Sequence, residues 1–146
     1  MINQHYESQT ILSASPMELV LLLYDHGLRC LNKALTAFPA DGEDIDQMNI
    51  FHEHVLESQN YITELACALD VERGGEMAMQ IERLYEFMLR HLVDANNSCR
   101  PEPVQDVVKM MSELRDGWAQ AMASVPHEAQ PEPVPVERGN SFNFSG

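Results

Sequence analysis

Six histidines, three cysteines and twenty-three acids are the side chains from which this chain could build a reactive site. A carboxylate-bridged di-metal centre in a helical bundle needs two Glu-x-x-His pairs, and nowhere does a histidine follow a glutamate by three residues. His52-Glu53-His54 sets its two imidazoles roughly 200° apart around a helix, so they cannot share an ion. His26 and Cys30, four apart, face one side, but no third ligand accompanies them; they read as a packed histidine beside a buried thiol. HExxH, CxxC, CxxCH and a glycine-rich phosphate loop are all missing. His91 suggests phosphotransfer, which uses an exposed histidine midway along a bundle helix, yet Leu92 and Val93 bring no lysine or glycine to receive a phosphoryl group. No serine or cysteine has a convincing base nearby in sequence. The chain reads as a non-enzyme that needs no metal and no cofactor.

The elements that carry these residues are separated by Gly and Pro. Ser15-Pro16-Met17-Glu18 opens a first helix with a capping box and a proline at its first position. It runs to about Phe38, where Pro39-Ala40-Asp41-Gly42 breaks it. A second begins near Glu43 and Asp44, with acids at the positive end of the helix dipole, and stops at Gly74-Gly75. A third covers about 75–97. Pro101 and Pro103 open a fourth that ends before Pro126. No stretch alternates polar with apolar, so no strand is expected. Near-equal helices on short loops predict an all-α, up-down antiparallel four-helix bundle. The expected organisation is a flexible N-terminal segment over 1–14, the bundle over 15–125, and a disordered Pro/Glu-rich tail over 126–146.

A net charge of -14 opposes binding to phosphate backbones and to anionic membranes. The longest apolar run, 19–24, is far short of the roughly 20 residues that span a bilayer. No nucleic-acid partner and no membrane insertion are therefore expected. The first seven residues lack a basic start and an apolar stretch, which reads as no signal peptide. Cys30, Cys67 and Cys99, odd in number and widely spaced, read as reduced thiols of a cytoplasmic protein. Nine acids and no Lys or Arg fall within 34–72, a solvated face or a docking surface for a basic partner.

The apolar faces are wider than one seam needs. In the second helix a single line runs Met48, Phe51, Val55, Ser58, Ile62, Leu65, Leu69. The first has two: Val20, Leu23, Gly27, Cys30, Ala34, Ala37, and beside it Met17, Leu21, Tyr24, Leu28, Leu31, Leu35. The third has a main line of Met77, Ile81, Leu84, Met88 and Ala95, broadened by Tyr85, Leu89 and Leu92. Such a face is either consumed between two bundle neighbours or left in part as a groove for an apolar helix.

Several segments in register give the chain a resemblance to the flagellin-specific export chaperones, the FliS family. They are Ser13-Ala14-Ser15-Pro16-Met17-Glu18-Leu19-Val20 continuing to Leu23-Tyr24-Asp25, Gly74-Gly75-Glu76-Met77-Ala78, 83–96 from Arg83-Leu84-Tyr85 to Ala95-Asn96, and Glu113-Leu114-Arg115-Asp116-Gly117-Trp118. The resemblance implies a cytoplasmic four-helix bundle that binds the disordered apolar C-terminal segment of flagellin. It would prevent premature polymerisation and present the cargo to a component of the flagellar export gate, without nucleotide. It also implies a role in cargo handling for the N-terminal segment, with Tyr6, Ile11 and Leu12. Because they are apolar beyond the main seam, Leu21, Tyr24, Leu28, Tyr85, Leu89 and Leu92 are the expected cargo contacts. The family usually has Gly-Ala after its first-helix Tyr-Asp, where this chain has His26-Gly27. Two other readings keep the bundle: a histidine phosphotransfer domain acting through His91, and a homodimeric helical module in which the extra seam is buried between identical subunits.

Overall fold

A computed structural model describes residues 16–124 of the chain as four helices and no strand. They are α1 (Pro16–Ala37), α2 (Ile45–Ala68), α3 (Val71–Ser98) and α4 (Glu102–Ser124). The expected cap Ser15, the N-terminal contacts Tyr6, Ile11 and Leu12, and the segments 1–14 and 126–146 lie outside the described residues.

Local chemistry explains the boundaries. Asp44 caps α2 by accepting from the Gln47 N–H at 3.1 Å, in the manner of a short acceptor at a helix N-terminus. Pro101 and Pro103 flank the start of α4, where a missing N–H costs no helical bond. The junction of α2 and α3 differs from the expectation. Helix α2 ends at Ala68 and not at Gly74, because Asp70 already caps a new turn through the Arg73 N–H at 3.1 Å. Gly75 is not a helix end but a kink inside α3, with φ 61° and ψ −139°, a backbone conformation essentially confined to glycine.

Each helix packs on two neighbours in the ring α1–α2–α3–α4–α1. Cross-helix contacts give the direction. The end of α1 meets the start of α2 through Phe38 and Phe51, with ring centres 4.9 Å apart. The start of α2 meets the end of α3 through His52 and Asn96. Likewise α3 meets α4 through His91 and Asp106, and α1 meets α4 through Asp25 and Arg115. All four pairs are antiparallel, so the fold is the up-down four-helix bundle. The core includes Tyr24, Leu31, Phe51, Val55, Ile62, Met88, Leu92, Val107 and Met111, all without solvent exposure. Ser58, the polar member of the α2 seam, donates to the Val55 carbonyl at 2.7 Å and is satisfied within its own helix.

His26-Gly27 finds its explanation in the packing. A Cβ on Gly27 would stand 3.0 Å from Met111 Cε and 3.5 Å from Tyr61 Cβ, so α1 approaches α2 and α4 closely there. His26, buried, stacks on Tyr61 at 5.5 Å.

Candidate partner-binding groove

The apolar residues of α3 divide differently from the expectation. The buried stripe is Ala78, Tyr85, Met88, Leu92 and Ala95, whereas Met77 is 72% exposed and Leu84 and Phe87 stand out beside it. The assignment is thus partly inverted: Met77 and Leu84, expected in the main seam, face outward, and Tyr85 and Leu92, expected to broaden it, form the core. Tyr24 of α1 is corrected in the same way, since it is wholly buried. Two lines of equal three-and-four spacing run side by side on each of these helices, and spacing cannot tell which will be turned inward. Leu21, Leu28 and Leu89 keep partial exposure.

An apolar pocket of about 390 Å³ opens where the start of α1, the end of α2, the start of α3 and the end of α4 meet. Met17 and Val20 line it from α1, Leu65 and Ala68 from α2, Met77, Ala78 and Ile81 from α3, and Trp118 from α4. Of the six expected bundle contacts only Tyr85 reaches it, as part of the floor. Asp70 and Arg73 at its edge are paired with each other at 3.6 Å, so the lining presents little unbalanced charge. The capped turn before Gly75 and the kink that follows shape this end of α3. Most of these residues lie on the helix seams, and their spacing does not show that they surround an opening; the glycine pair beside a run of Met, Ile and Leu is the signal the sequence carries.

Below the pocket three polar groups join three helices. The Tyr24 and Tyr85 hydroxyls are 2.7 Å apart, and Trp118 Nε1 donates to the Tyr24 oxygen at 3.1 Å. Burial pushes both phenols above the usual tyrosine range, and for Tyr24 the adjacent Tyr85 adds to this. The cluster is therefore a neutral hydrogen-bonded tie, with no ready proton donor. Nearer the surface Arg115 holds Asp25 through two hydrogen bonds, at 2.9 and 3.4 Å.

The groups singled out for chemistry take structural places. His26 Nδ1 accepts from the Arg29 guanidinium at 3.2 Å, and Cys30 donates to Glu57 at 3.8 Å. Burial pushes the Cys30 thiol up to about 11. His91 Nε2 lies 3.3 Å from Asp106 Oδ2, with its ring against Phe87. A phosphoryl group approaching that nitrogen would meet a carboxylate of its own sign, which disfavours phosphotransfer. Among the described residues no group of three metal-ligating side chains occurs, and no helix is long and apolar enough to cross a membrane.

Comparison with known proteins identifies the family of the chain. The profile of the family described as Flagellar protein FliS matches residues 1–125. The flagellar secretion chaperone FliSB of Pseudomonas aeruginosa is 36% identical over 105 residues, covering 72% of this chain and 79% of that one. The flagellar secretion chaperone FliS of Bacillus subtilis is 30% identical over 119 residues, 82% of this chain and 84% of its own. That of Salmonella typhimurium is 30% identical over 111 residues, 75% and 78% respectively. The chain belongs to the FliS family, whose members are flagellar secretion chaperones and not enzymes.

Proposed function

We propose that this protein binds the apolar C-terminal segment of flagellin in the cytoplasm, keeps it from polymerising early, and delivers it to a component of the flagellar export gate. The observation that carries the reading is the pocket between the helix ends together with the outward flank of α3. Met77 lines the pocket, and Leu84 and Phe87 follow it at spacings of seven and three residues. That strip extends about 15 Å at 1.5 Å per residue, long enough for two or three turns of a docked amphipathic helix. Exposed large apolar side chains grouped on one flank favour burial by a partner, and Met adapts to the shape of what it covers.

Of the contacts expected from sequence, Leu21, Leu28 and Leu89 remain proposed edges of the cargo surface, and Tyr85 its floor. Tyr24 and Leu92 act from within, by holding that floor in place. Tyr6, Ile11 and Leu12 remain proposed contacts of the N-terminal segment.

Titration calorimetry against the C-terminal segment of the same organism's flagellin tests the proposal. A saturable one-to-one complex with a negative heat-capacity change is expected, the mark of apolar burial. Absence of heat and of any shift on gel filtration overturns it. A self-associated species that excludes the segment would instead assign the strip to a second copy of the chain.

A further inference from the structure

The end of the bundle opposite the groove brings together a thiol, an imidazole and an amide that the groove does not use. Cys99 is the C-cap of α3 and takes a left-handed backbone, φ 52° and ψ 53°, at a position where glycine is the usual residue. Its side chain is exposed, so neither the backbone nor the core asks for cysteine there. His52, on α2, sets its Nε2 3.8 Å from the Cys99 sulfur, and its Nδ1 lies 2.8 Å from Asn96 Oδ1. The proton positions follow from the third contact. Asn96 Nδ2 donates to the backbone carbonyl of His52 at 3.4 Å, which turns the amide oxygen toward the ring. That oxygen only accepts, so Nδ1 carries the proton and Nε2 keeps its lone pair facing the thiol. A nucleophile, a base within reach of it and a group that orients the base form the arrangement that activates cysteine.

We infer that Cys99 is a reactive thiol of this protein and a modification site for small disulfides, with His52 as its base and Asn96 as a positioning residue. In the step, His52 Nε2 takes the thiol proton and the Cys99 sulfur attacks one sulfur of the disulfide. The S–S bond of the reagent breaks as a new one forms, and the departing thiolate takes a proton back from His52. One disulfide and one thiol enter; one mixed disulfide and one thiol leave. The other two cysteines are internal references. Cys30 is buried, with a carboxylate as its hydrogen-bond partner. Cys67 is exposed on α2 and has no hydrogen-bonded base among the described residues. A thiol of equal exposure without a base reacts more slowly at neutral pH, because the thiolate is the nucleophile. The inference does not depend on what the groove binds.

The test is reaction of the full chain with less than one equivalent of dithiobis(nitrobenzoate) at neutral pH, followed by peptide mass mapping. Cys99 is expected to be modified first, at least about tenfold faster than Cys67. His52→Gln should slow Cys99 to about the rate of Cys67 and leave Cys67 itself unchanged, which a general loosening of the fold would not do. Equal labelling of Cys67 and Cys99, or a Cys99 rate unaltered by His52→Gln, overturns the inference. Should that variant open the fold, seen as labelling of Cys30, the ranking in the unaltered protein decides together with Asn96→Ala. That change keeps the base but releases its orientation, and a smaller slowing of Cys99 is expected.

Discussion

Where α1 ends and α2 begins, Phe38 stands edge-on to Phe51, and Ala34, Phe51, Ala95 and Val104 are sealed from solvent. At the other end of the same bundle Val20, Leu69, Ile81 and Trp118 are only partly covered, and Met77 is mostly exposed. The residue types are alike, so composition does not make the difference. At the closed end an aromatic pair fills the space between α1 and α2 beneath their seven-residue connection. At the open end α3 reverses through a capped turn and a kink at Gly75, and the helices enclose a volume they do not fill. The closed end buries its apolar area within the bundle, while the open end leaves part of its apolar area in contact with solvent. The Tyr24–Tyr85–Trp118 hydrogen bonds join three helices beneath that volume.

The largest expected effect separates the ends by stability. Phe51→Ala should cost about 3–5 kcal/mol in denaturant unfolding, and Tyr85→Asp, which buries a charge in the floor, should abolish the helical circular-dichroism signal. A folded Tyr85→Asp would show that the floor is looser than the packing implies. Within the tie, Tyr24→Phe should cost about 1–3 kcal/mol, since it removes the oxygen that the Tyr85 hydroxyl and the Trp118 N–H share. Tyr85→Phe, which removes one bond, should cost only about 0.5–1.5 kcal/mol. The reverse order would mean that Tyr85 is the centre of the tie. Met77→Asp sharpens the contrast differently: stability should change by no more than about 0.5 kcal/mol. Affinity for the flagellin segment should fall about tenfold or more, near 1.4 kcal/mol; unchanged binding would remove the strip from the site. Smallest of all, Arg115→Ala should cost about 0–1 kcal/mol in the same unfolding assay, because the pair with Asp25 is substantially exposed.

Much of the architecture is legible in particular residues. The acids Glu43 and Asp44 at the head of α2, Pro101 and Pro103 at the head of α4, and the seam from Phe51 to Leu65 each act through neighbours within a turn or two, and each stands where local chemistry puts it. The end of α2 is not legible, because Gly74-Gly75 is the stronger written signal, whereas Asp70 opens the next helix by a single hydrogen bond. The site was harder to see. Of its residues Tyr85 was singled out, but as a flank and not a floor, while Met77 and Ile81 were assigned to the seam. Cys99 and His52, 47 residues apart, gave no sign of each other, because a contact across the bundle leaves no spacing to read.

The sequence by itself determined that the described residues make four antiparallel helices with an excess of apolar surface, and that the chain lacks the ligand spacings of a metal centre. Those features depend on composition, on caps and breakers, and on periodicity, all of which are local. Only the tertiary structure decided which way α3 is turned. Two parallel lines of apolar side chains offered nearly equal burial, and the choice fell to how Met88, Leu92 and Tyr85 fit among Tyr24, Ile62 and Met111. That choice placed Met77, Leu84 and Phe87 outside, where a second chain can cover them.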